Sequence, residues 1–100
     1  MRLRMQWGQF AMAYIEIIWD LDDDPEGNVQ HILEHGVSKD EVEEILTSPG
    51  AAVDTSKSFG EPITFGYTAA GRYLAIVWQH VFDDPLTVYP FTAYEVPEPR

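Results

Sequence analysis

An α+β fold is predicted, with one strand, two short helices and then an antiparallel meander of three or four strands. Three observations predict it. A β-branched and aromatic run stands early, a helix-turn-helix pattern rich in capping residues follows, and strand-like apolar runs separated by Gly and Asp-Pro turns fill the second half. That order places both helices on one face of a mainly antiparallel sheet. One hundred residues make a single domain, which buries about 60–70% of the surface its unfolded chain exposes. Residues 12–96 are assigned to this domain, 1–11 to a disordered leader or mobile arm, and 97–100 to a frayed tail.

The first strand covers residues 14–19, Tyr-Ile-Glu-Ile-Ile-Trp, and is expected to join the sheet. Asp20, Asp22, Asp23 and Asp24 end it. Asp24 is expected as N-cap of the first helix and Pro25 at its first helical position, where carboxylates meet the positive end of the helix dipole. At about 100° per residue, Val29, Ile32 and Leu33 form an apolar stripe and Asn28, His31 and His35 a polar flank.

The junction His35-Gly36-Val37-Ser38 is closely specified. Gly36 suits the left-handed turn that closes a helix, and Ser38 with Glu41 three residues on is a capping box. Val37 and Val42 fall at hydrophobic-staple positions. The second helix, residues 39–47, is expected to bury Val42, Ile45 and Leu46, to expose Asp40, Glu43 and Glu44, and to end before Pro49-Gly50.

Strands are then expected at 52–55 and 62–68, followed by a hairpin turn at Ala69-Ala70-Gly71. Residues 72–82 form the longest strand, and its near-continuous apolarity suits a central position. Asp83-Asp84-Pro85 turns the chain into a last strand, 86–96, in which Pro90 should mark a bulge or an edge.

Charge and composition narrow the function. Six Lys plus Arg against 17 Asp plus Glu give a net charge of −11, which weighs against passive nucleic-acid binding and suits a basic partner or a solubilising surface. The absence of cysteine excludes disulfides, thiolate catalysis and Cys-based zinc sites. No apolar run approaches the roughly 20 residues that span a bilayer. Gln6, Gly8 and Gln9 interrupt the stretch where a signal peptide would be apolar, so the chain reads as cytoplasmic.

The acid cluster lacks the Gly and distal Glu of an EF-hand loop. His31 and His35 stand four apart, a spacing that permits chelation but is a weak signal for it, and they are expected instead to bond neighbouring backbone or Asn28; no metal and no cofactor is expected. Tyr67, Tyr73, Tyr89 and Tyr94 fall on the sheet, where they stack bases or a partner's side chains or simply pack it.

Several of these features in order resemble the BrnT family of toxins from bacterial type II toxin-antitoxin systems. They are a strand ending in Trp19-Asp20, Asn28, His35-Gly36-Val37-Ser38, Glu41-Val42, a proline after the second helix, Phe65-Gly66-Tyr67-Thr68, and Gly71-Arg72-Tyr73-Leu74. The last strand, 88–94, stands where the family has its final one. The resemblance covers about residues 17–94 and implies a relative of the RelE-like ribonucleases, which cut RNA without metal and are neutralised by an antitoxin. It makes His35, with His31 beside it, the candidate for proton transfer and Arg72 the candidate for stabilising charge on phosphorus. Asn28, Tyr67, Thr92 and Tyr94 become candidate contacts to substrate or partner, and an antitoxin protein, an RNA substrate and a second copy of the chain become candidate partners.

The departures are specific. Tyr67 and Tyr94 stand where the family usually carries arginine, and no counterpart of its C-terminal helix follows Val96. A neutral phenol does not replace a guanidinium opposite phosphate. The expectation is therefore divided between a metal-independent endoribonuclease and a non-catalytic interaction module of the same fold.

Overall fold

The computed structural model describes residues 15–48, 52–55 (backbone only) and 60–99, so the expectations for the leader, for Pro49-Gly50 and for Arg100 lie outside the described residues. Its elements are β1 (Ile15–Ile17), α1 (Asn28–Glu34), α2 (Lys39–Leu46), β2 (Ala52–Thr55), β3 (Pro62–Tyr67), β4 (Tyr73–Asp83) and β5 (Leu86–Glu95). The fold is α+β, and the five strands form one sheet in the order β1-β5-β4-β3-β2. The four later strands pair antiparallel, whereas β1 runs parallel to the start of β5.

β4 lies at the centre, and Leu74, Ala75, Ile76 and Val77 are all fully buried because both faces of the sheet are covered there. Leu74 and Ile76 point to one face and pack with Ile32, Val37, Val42, Ile45 and Ala93. Ala75 and Val77 point to the other, against Ile63, Phe65, Phe91, Tyr94 and Val96. Both helices contribute to the first cluster and neither to the second. Continuous apolarity in this strand thus reflects two covered faces rather than one.

The helix junction forms as its residues dictate. Gly36 has φ of 78°, and the amides of Gly36 and Val37 donate to the carbonyls of Leu33 and Ile32 at 2.9 and 3.0 Å. This is the Schellman pattern, which satisfies carbonyls that a helix end leaves open. Ser38 and Glu41 complete the capping box, each side chain accepting from the other's backbone N–H.

The first helix departs from expectation at two points. It starts at Asn28 with Gly27 as N-cap, not at Pro25. Asp24 instead closes a turn, its carboxylate accepting from the Glu26 amide and its carbonyl from the Gly27 amide. The carboxylate that meets the helix N-terminus is that of Asp20, which accepts from the Asn28 amide at 2.9 Å. The buried face, Asn28, Val29 and Ile32, is also turned towards Asn28, leaving Leu33 48% exposed where the apolar stripe would bury it. The sheet holds Asn28 by hydrogen bonds, and that outweighs one apolar contact.

At the proline of β5 the ladder slips. Val77 faces Thr92 but Trp78 faces Pro90, so Phe91 is the extra residue of a bulge. No helix among the described residues is long and apolar enough to cross a membrane.

Gly66, beside Leu74 on β4, lies under α2, and a Cβ there would stand 2.9 Å from Cγ2 of Ile45. Gly66→Ala is expected to destabilise by about 1–3 kcal/mol through overpacking. In a double-mutant cycle with Ile45→Ala, read by urea denaturation, the combined loss should fall short of the sum; strict additivity would mean that α2 does not rest on this glycine.

Candidate functional site

The first helix runs along β5, which brings the polar flank read from the sequence against the sheet's edge. Asn28 stands at its head and is 3% exposed. Its side-chain amide donates to the carbonyls of Ile18 and Pro90 at 3.0 and 2.8 Å, and its oxygen accepts from the Asp20 amide at 2.9 Å. The Asp20 carboxylate in turn accepts from the Asn28 backbone amide and from the Tyr89 hydroxyl at 2.6 Å. Asn28 therefore ties the end of β1, the start of α1 and β5 together, and its donors are consumed by backbone carbonyls.

This network perturbs both acids. The Tyr89 hydroxyl and the Asn28 amide hold the Asp20 carboxyl below its ordinary range. Burial, and then the adjacent Asp20, push the Tyr89 phenol up to about 12.

Farther along the flank, His31 and His35 are exposed, their rings edge to face with centroids 5.3 Å apart. The His35 ring lies 6.3 Å from that of Tyr94. These three predicted residues form one imidazole and phenol group at the C-terminal end of α1. Thr92 is buried opposite Val77 and belongs to the packing of the face away from α1 and α2. Tyr67 lies two strands from β5, paired with Tyr73. No cluster of three or more His, Cys, Asp or Glu side chains among the described residues is arranged to hold a metal.

Arg72 reaches the same helix end but arrives occupied. Its Nη1 donates to the Gly36 carbonyl at 3.0 Å and to both oxygens of Glu41 at 2.9 and 2.7 Å. Its Nε and Nη2 both donate to Oε1 of Glu95 at 3.3 Å. All three guanidinium nitrogens are thus engaged within the chain. The Glu41 bonds, with Glu95 behind them, raise the pKa of Arg72 further and keep it charged. Lys39, the other described cation, pairs with Asp22 at 2.8 Å.

Sequence reading gave His35 and Arg72 roles in one mechanism without fixing their separation; in the structure Arg72 bonds the carbonyl of the residue after His35. It missed that Glu41, read as a capping residue, is also the partner of Arg72, and that Asp20 and Tyr89 form a pair. Neither has a local signal, because the pairs are 31 and 69 residues apart. In comparison with known proteins, the chain matches no family profile and no curated relative.

Two outcomes follow from this geometry. Glu41→Gln, which removes the charge opposite Arg72, should lower stability by about 1–3 kcal/mol in urea. Glu95→Gln, at a residue more than half exposed, should cost under about 1 kcal/mol; equal losses would contradict the assignment of Glu41 as the principal partner. Because the Tyr89 phenol is raised in the folded state, its contribution is complete below the unfolded value of about 10 and is lost as pH rises through about 12. Asp20, depressed, contributes above its unfolded value and loses that contribution as pH falls through the lower folded one. Tyr89→Phe should flatten the alkaline decline between those limits, and an unchanged decline would place its origin elsewhere.

Proposed function

We propose that this chain is a divergent BrnT-like protein of RelE-like fold, cytoplasmic and of toxin-antitoxin descent, that works by binding a protein partner and not by cleaving RNA. The observation that carries this reading is the state of Arg72. Metal-free cleavage needs a group to take the ribose proton, a group to donate to the leaving oxygen, and a cation for the charge that develops on phosphorus. His35 is exposed and suited to moving a proton. The cation beside it is already bonded by two carboxylates and a carbonyl. A phosphate would have to displace Glu41, which also caps α2, while approaching a chain of net charge −11.

The same features favour a protein partner. The His31, His35 and Tyr94 group offers imidazole donors and acceptors beside aromatic area, at a helix end on the sheet's edge. The α+β order of a strand, two helices and a four-stranded meander supports the BrnT-like assignment. An antitoxin-like protein is the expected partner.

Purified full-length chain incubated with total RNA decides between the two modes. No cleavage above that of His35→Ala is expected. Cleavage that falls about 100-fold or more in His35→Ala would establish the ribonuclease instead, since a proton-transfer group contributes at least that much.

A further inference from the structure

The face of the sheet away from α1 and α2 carries a row of three aromatic rings across β3 and β4. Phe65 stacks on Tyr73 with ring centroids 6.2 Å apart and planes within 14°, and Tyr73 meets Tyr67 at 4.7 Å with a tilt of 49°. The geometry follows from the register, because Tyr67 and Tyr73 are direct cross-strand partners and Phe65 is the diagonal neighbour. Phe65 packs on Ile63, Ala75 and Val77 and so has a core role. Tyr67 stands at the open end of the row and is 50% exposed.

This open end is acidic. The chain leaving β5 runs beside the row, where the Val96 amide donates to the Tyr73 carbonyl at 3.0 Å, and it carries the exposed Glu98 two residues on; partial burial, then this carboxylate and Tyr73, raise the pKa of the Tyr67 phenol. The two described cations, Arg72 and Lys39, are both held by carboxylates of the chain, so nothing in the described residues offers Tyr67 a cation from inside. An aromatic face near a carboxylate that neither described cation holds, on a chain of net charge −11, is complementary to a planar cation: the ring takes the guanidinium face and the carboxylate its edge.

We propose that Tyr67, with Tyr73 and Glu98, is the docking point for an arginine-bearing basic segment of a protein partner. This rests on reading the chain as an interaction module, and it names the chemistry of what that module takes. The guanidinium stacks on Tyr67 and bonds to Glu98, while flanking basic residues meet the acidic surface around it. Lysine, a strongly hydrated point charge, stacks less well and is discriminated against.

The test uses the full chain at physiological ionic strength, titrated calorimetrically with oligoarginine and oligolysine peptides of equal length. Oligoarginine should bind more tightly. Tyr67→Leu, which keeps apolar bulk and removes the ring, should weaken it about three- to fivefold, the range of an exposed cation–π contact, while Tyr67→Phe binds as the wild type does. Glu98→Gln should weaken it more than the paired change Asp23→Asn and Glu26→Gln at the turn before α1. Equal affinity for the two peptides, no effect of Tyr67→Leu, or equal losses from the two carboxylate variants would overturn the proposal in favour of diffuse charge attraction. Single-stranded oligonucleotide binding that is lost in Tyr67→Leu would overturn it in favour of base stacking. Ribonuclease activity dependent on His35 would remove the module reading while leaving the peptide titrations to stand or fall on their own.

Discussion

The bond between Glu41 and Arg72 joins the two halves of the fold. Glu41 closes the capping box of α2 by accepting from the Ser38 amide, and the same carboxylate receives Nη1 of Arg72 at the foot of β4. The guanidinium also takes the carbonyl of Gly36, the residue whose left-handed conformation ends α1. One ion pair, with both side chains less than a third exposed, thus reaches the end of the first helix, the start of the second and the central strand. Partial burial and shared hydrogen bonds make such a pair worth more than a surface salt bridge, and removing either partner leaves the other a poorly solvated charge.

Asn28 does for the opposite end of α1 what Arg72 does for its C-terminus. The parallel strand β1 is only three residues long and needs anchoring beyond its ladder. Its continuation supplies Ile18 and Asp20 to Asn28, and β5 supplies the carbonyl of Pro90 and the hydroxyl of Tyr89. These bonds also set the rotation of the helix. They hold Asn28 in the interior and turn Leu33 outward, beside a cleft of about 290 Å³ between the two helices.

The clamp at Asn28 takes one residue of the polar flank and leaves His31 and His35 exposed. Asn28 and Arg72 are spent on architecture, and what remains exposed is imidazole, phenol and carboxylate. On the proposed reading such a surface takes donors and cations in preference to phosphate, and acidic charge and occupied cations point the same way. The bulge at Phe91 shifts the register of β5 so that Thr92 and Tyr94 fall together opposite Val77 and Ala75, on the face away from α1 and α2, with the Tyr94 ring 6.3 Å from that of His35.

Local patterns carried the element order, the capping box, the left-handed Gly36 and the disruption at Pro90, because each depends on residues within one turn or one strand. They also carried the central position of β4, since four consecutive buried side chains need an apolar run. The start of α1, the outward turn of Leu33, the parallel pairing of β1 and the partners of Arg72 were decided only by tertiary structure. In each case a side chain is satisfied by a group far along the chain, and no local spacing encodes which of 17 carboxylates will meet a given guanidinium. The sequence by itself determined that a histidine and an arginine stand at the ends of a helix and a hairpin. The packing of α2 on the sheet decided that Glu41 reaches that arginine first.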